Sequence, residues 1–224
     1  MASPKGSFGY IDFLDSEMVA LGTSGSSRSF KIHKGLLGAK CRLLHKAIEG
    51  QFKEGQPQLY VCQQTSEGTL VRFIEWAYKG DYPDGVEEHE IDPLLSYAEL
   101  YAFSDVYGVS DLKKLTYEKL TGSLHALGKP QDLKMQIVVI TMLEIVANRL
   151  PSDDTLVNWL AKYTAWCIDH LRGNEYFDNL CNASPSFCLK VMNAVNPAPK
   201  APWTPERRGT TSRLSPNSIF EDDY

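Results

Sequence analysis

Between Met18 and Gly50 the spacing of the apolar residues changes from that of a strand to that of a helix. The run MVALG at 18–22 is short, apolar and stopped by glycine, and FKI at 30–32 follows the turn segment TSGSSRS. Two short strands around a Gly/Ser turn predict a β-hairpin. Leu37, Cys41, Leu44 and Ile48 then recur at intervals of four, three and four, which predicts one amphipathic helix ended by Gly50. A hairpin feeding a helix, in a chain that goes on mostly helical, points to the α+β class.

The same stretch, FKIHKGLLGAKCRLLHKAIEG, holds His33, Cys41 and His45, residue types that suit a metal or an activated thiol. Cys41 and His45 stand at i, i+4, so on one helix their side chains could meet. Zinc needs three or four ligands, and His33 lies about two turns away. Cys41 belongs to the apolar stripe, where a free cysteine behaves as a small buried hydrophobe. The expectation is no metal, no cofactor and no catalytic residue here.

Further on, PQLYV at 57–61 reads as a third strand. TLVRFIEWAYKG reads as a helix, with Leu70, Phe73 and Ala77 on one face and Gly80 as its stop. The loop DYPDGVEEHEID carries six acidic residues and no basic one, the composition of a solvated connection. Asp92-Pro93 pairs an N-cap with a first-turn proline ahead of PLLSYAELYAFSDVYG. A helix from Ser110 should turn Leu112, Leu115 and Leu120 inward. Helices are expected at 133–149, 154–172 and 186–195, the middle one burying Leu156, Leu160, Tyr163, Cys167 and Leu171.

Leu133 to Leu150 is the most apolar run, but Lys134, Gln136, Glu144 and Arg149 interrupt it. A bilayer span needs about 20 mostly apolar residues, so a buried helix is expected and no membrane. From Asn196 the chain becomes rich in Pro, Ser and Thr, which reads as a disordered tail with Thr204-Pro205 and Ser215-Pro216 as modification candidates. The net charge of −5 disfavours direct contact with nucleic acid, whose binders draw affinity from basic patches. Five cysteines, an odd number with no C-x-x-C spacing, fit reduced thiols in a cytoplasmic or nuclear protein. The beginning of the sequence lacks the apolar core of a signal peptide.

The order strand, strand, helix, strand, helix, acidic loop, two helices, with its punctuating motifs, resembles the BTB/POZ family and its small fungal members. The motifs are F-x-x-H-K-x-x-L at Phe30, His33, Lys34 and Leu37, and Y-x-G-D-Y at Tyr78, Gly80, Asp81 and Tyr82. A shifted A-x-x-Y-G-V-x-x-L follows as Ser104, Tyr107, Gly108, Val109 and Leu112. The resemblance implies a leader at 1–16, a BTB/POZ domain at 17–124 (a small β-sheet flanked by helical hairpins), an all-α extension at 125–195 and the tail at 196–224. The sequence departs from the family at Cys41, where serine is usual, at Leu43 and Leu44, where aromatic residues are, and at Glu17, where aspartate is.

By the same resemblance, His33 is the family's histidine at the strand–helix junction, satisfying backbone groups there. Phe52 and Glu54 match the hydrophobic-x-Glu element of cullin-binding members. The apolar leader residues Phe8, Tyr10, Ile11, Phe13 and Leu14 want a surface to cover, either a second copy of the domain, as in several branches of the family, or their own domain. The implied function is a non-catalytic, self-associating protein–protein interaction module serving as substrate adaptor for a cullin-type ubiquitin ligase. Alternatives are a dimerising transcriptional or signalling cofactor and, more remotely, a thiol-dependent hydrolase using Cys41 or Cys62.

Overall fold

The computed structural model describes residues 13–51, 59–83 and 92–195. Strands β1 (Met18–Thr23), β2 (Ser29–His33) and β3 (Leu59–Cys62) form one sheet in the order β2-β1-β3. β1 pairs antiparallel with β2, Val19 opposite Ile32 and Leu21 opposite Phe30. β3 lies parallel to β1 on its other edge, Ala20 opposite Leu59 and Thr23 opposite Cys62. Val19, Leu21 and Ile32 all face the core. A parallel neighbour requires a crossover, and the segment between β2 and β3 supplies it with helices α1 (Lys34–Lys40) and α2 (Arg42–Gln51).

The stripe Leu37, Cys41, Leu44 and Ile48 is buried throughout. It does not lie on one helix. Cys41 leaves the helical region (φ −144°, ψ 87°), its N–H closing α1 on Leu37 O and its carbonyl opening α2 with His45 N. The bend folds His45 onto Gly38, where a Cβ would stand 3.2 Å from the imidazole. Any side chain at Gly38 would push the imidazole back by a few tenths of an ångström.

α3 (Glu67–Lys79) starts at Ser66, whose side chain accepts from Thr69 N, and closes on left-handed Gly80. α4 (Pro93–Val106) starts at Asp92, whose carboxylate accepts from Leu94 N. α4 is buried on nearly every side, including Tyr97, Ala98, Leu100, Tyr101, Ala102, Phe103 and Ser104, as a central helix must be. α5 (Ser110–Leu127) packs on α4, and so does α6 (Leu133–Arg149). Leu112 and Leu120 are fully buried and Leu115 partly. α5 runs three residues past the boundary drawn at 124.

The span expected as one helix at 154–172 divides at Cys167 into α7 (Thr155–Trp166) and α8 (Ile168–Leu171), its inward face buried as expected. A further helix, α9 (Glu175–Ala183), was not anticipated from the sequence. Asn174 caps it, Glu175 and Asp178 lie in its first turn, and Phe177 and Leu180 are buried at i, i+3. α10 (Pro185–Val195) follows after Ser184.

The fold is α+β, mostly helical, with a small mixed three-stranded sheet. Among the described residues no helix is long and apolar enough to cross a membrane. The acidic loop at 84–91, the start of the third strand at 57–58 and the tail at 196–224 lie outside the described residues.

Candidate functional site

The motif residues from two distant stretches meet where β2 passes into α1. The His33 backbone N–H donates to the Tyr78 hydroxyl at 3.1 Å, and that hydroxyl lies 2.7 Å from His33 Nδ1. One hydroxyl, with one proton and two lone pairs, thus serves both the backbone N–H and the imidazole of His33. The rings meet edge to face with centroids 5.9 Å apart. Lys34 N donates to Glu17 O, tying the leader side of β1 to α1, while Lys34 Nζ stands 3.5 Å from Glu49. Leu37 is buried, and Phe30 is half-buried beneath the Arg28 guanidinium.

The second motif docks on α5. Asp81 Oδ1 lies 2.9 Å from Lys119 Nζ, which holds its carboxyl below the usual range, and it also accepts from Tyr82 N. Tyr82 is buried, its hydroxyl donating to Thr116 at 3.2 Å and its ring lying under Lys119. In the third motif Gly108 adopts φ +64°, and a Cβ there would stand 3.1 Å from Leu43 Cδ1. The Tyr107 phenol is raised by burial and by its neighbours Cys62 and Tyr60.

The thiols are placed for packing. Cys41 Sγ points toward Tyr107 O at 3.6 Å, not toward His45, so the i, i+4 pair does not meet. His45 Nδ1 instead lies 3.6 Å from Glu49 Oε2. Burial raises Cys41 and pushes Cys62 and Cys167 up to about 11. A reactive thiol needs the opposite shift. Among the described residues no group of three or more His, Cys, Asp or Glu is arranged to hold a metal. The reading of five reduced thiols needs one correction, because Cys181 in α9 and Cys188 in α10 form a disulfide. Their Cα atoms are 5.4 Å apart, a separation that the turn at Ser184 creates and that no sequence spacing announced.

Of the residues assigned to partner binding, Phe52, Glu54, Phe8, Tyr10 and Ile11 lie outside the described residues. Phe13 packs against the core beside Gly35, and Ser16 donates to Phe13 O while accepting from Gly35 N. Leu14 is 52% exposed. Leu43 and Val106, 53% and 60% exposed, flank Gly108 on the surface.

Two arrangements in the helical extension escaped sequence reasoning. Lys113 on α5 donates to Asp105 of α4 at 2.6 Å and to Asp154, the N-cap of α7, at 2.7 Å. Asp154 also accepts from Tyr101 OH and Leu156 N. This cluster fastens the start of α7 to α4 and α5, and only the cap was detectable, as Asp154 before a helical run. The second is a row of aromatic rings on α7. Trp159 stacks on Tyr163 at 5.8 Å with planes 7° apart, and Tyr163 meets Trp166 at 6.2 Å. Its signal was the spacing 159, 163, 166, one helical face.

No protein-family model matches the chain, and no curated protein matches it.

Proposed function

We propose that the chain is a BTB/POZ-type interaction module followed by a helical extension, acting through surface complementarity and without catalysis. The observation that carries this reading is the meeting of the three motifs within one core. His33 bonds Tyr78, Asp81 and Tyr82 lock onto Lys119 and Thr116, and Tyr107 closes over Cys62. The motif residues thus serve the architecture and leave partner contacts to other residues: Phe52 and Glu54 for a cullin-type scaffold, and the leader for a second copy. An apolar plug beside a carboxylate suits a basic partner surface with a hydrophobic recess.

Affinity purification of the wild type and of Phe52→Ala/Glu54→Ala tests this reading. A cullin that co-purifies with the first and not the second is the expected result. No cullin with the wild type would refute the ligase-adaptor role. Self-association is read from light scattering of Phe8→Ala/Tyr10→Ala/Ile11→Ala, which spares Phe13 and Ser16, the residues bracing α1. An unchanged mass would remove the leader from the dimer interface.

A further inference from the structure

The aromatic row on α7 has the form of a recognition surface for an extended, proline-rich segment. Tyr163 is fully buried, its hydroxyl donating to Gly128 O at 2.8 Å, and forms the floor. Trp159 and Trp166 are half-buried on either side of it, and Lys129 stands over the Trp166 ring at 5.2 Å. Flat aromatic faces with polar edges bind polyproline II segments, which arrive already ordered and lose little entropy on docking.

The chain itself contains such a segment. Residues 196–205 read NPAPKAPWTP, and they begin at the end of α10. α10 lies along α7. Ser186, Phe187 and Lys190 share a cleft with Val157, and Lys190 Nζ donates to Asn158 Oδ1 at 2.8 Å. With their first turns side by side, the two helices bring Val195 toward the Tyr163–Trp166 end of α7. The eight residues from Val195 to Trp203 can span up to about 27 Å, more than the length of α7. The periods also agree. Pro199, Pro202 and Pro205 recur every three residues, which in polyproline II puts them on one edge about 9 Å apart. Trp159 and Trp166 are seven residues apart on a helix, about 10.5 Å.

We propose that the Trp159–Tyr163–Trp166 face is a docking surface for a proline-rich segment, and that its occupant is the chain's own residues 196–205. Successive prolines seat against the two indoles, and Trp203 extends the aromatic stack.

The full chain labelled with 5-fluorotryptophan gives four fluorine signals, from Trp76, Trp159, Trp166 and Trp203. Substitutions in the segment leave the helices intact. Trp203→Ala should shift the Trp159 and Trp166 signals and leave Trp76 in place, and Pro199→Ala/Pro202→Ala should move the Trp203 signal toward the free-indole position. A Trp203 signal already at the free-indole position, with Trp159 and Trp166 indifferent to Trp203→Ala, would overturn the proposal. So would a Trp203 signal indifferent to the proline substitutions. A docked signal lost on dilution would mean that another copy provides the face, overturning the assignment within one chain.

Discussion

Replacing Lys113 by methionine tests whether the Lys113–Asp105–Asp154 cluster fastens the helical extension to the helices before it. Methionine keeps most of the stem and removes the charge. The Asp154 side chain is 6% exposed, against 28% for Lys113 and 29% for Asp105, so the substitution strands a buried carboxylate. Removing one partner of a buried ion pair costs about 3–5 kcal/mol. Here water reaches the lysine end, and Asp154 keeps its bonds from Tyr101 OH and Leu156 N, so the expected loss is about 2–3 kcal/mol. For a chain of this size that lowers Tm by roughly 4–12 °C.

Asp154→Asn keeps an acceptor for the cap and for Tyr101 while removing the charge. The double-mutant cycle should return a coupling of about 1–2 kcal/mol between the two sites. Burial disfavours the Lys113 ammonium, but its hydrogen bonds to Asp105 and Asp154 outweigh this and raise it above the ordinary lysine value. A raised lysine contributes stability that is fully present below its unfolded value of about 10.4 and is lost only as pH climbs through the folded one. The difference between wild type and Lys113→Met should therefore stay constant from about pH 7 to 9.5. Urea unfolding followed by circular dichroism and tryptophan fluorescence gives the energies and shows whether the transition is two-state. A Lys113→Met protein within about 0.5 kcal/mol of wild type, the range of neutral surface changes, would refute the reasoning.

Tyr78→Phe removes the partner of both His33 N–H and Nδ1 and should cost about 1–2 kcal/mol by the same urea assay. Gly108→Ala should cost about 1–2 kcal/mol for its left-handed backbone, and more for the approach to Leu43. Leu43→Ala in that background should recover only the second part. With Cys62 pushed up to about 11, roughly one thiol in a thousand is thiolate at pH 8. Iodoacetamide should therefore leave Cys41, Cys62 and Cys167 unmodified in the folded chain, as mass spectrometry would show, and rapid labelling of Cys41 or Cys62 would contradict their burial. Cys181→Ser/Cys188→Ser, which opens a loop of seven-residue separation, should lower stability by about 2 kcal/mol in a thermal melt.

What can be read along one segment was legible in the sequence. The stripe at Leu37, Cys41, Leu44 and Ile48 is buried as its spacing requires, and Asp92-Pro93 and Gly80 begin and end their helices as expected. These outcomes follow from period, cap chemistry and backbone sterics, which act over a few residues. α9 was missed although its signals are equally local, because its apolar face is only two residues, Phe177 and Leu180, deep.

What depended on distant segments was not legible. The helical period continues unbroken through Cys41, yet the chain bends there, because the crossover to β3 folds α2 back until His45 lies on Gly38. The i, i+4 spacing of Cys41 and His45 is meaningful only on a continuous helix, so the possible reactive pair disappears with the bend. His33 finds Tyr78 at a separation of 45 residues, Asp154 finds Lys113 at 41, and Cys181 finds Cys188 only because the chain reverses between them. Sequence alone determined which faces are apolar and where most helices start. Tertiary structure decided which polar groups become partners, because burial removes water as the alternative and the packing of distant elements selects what replaces it.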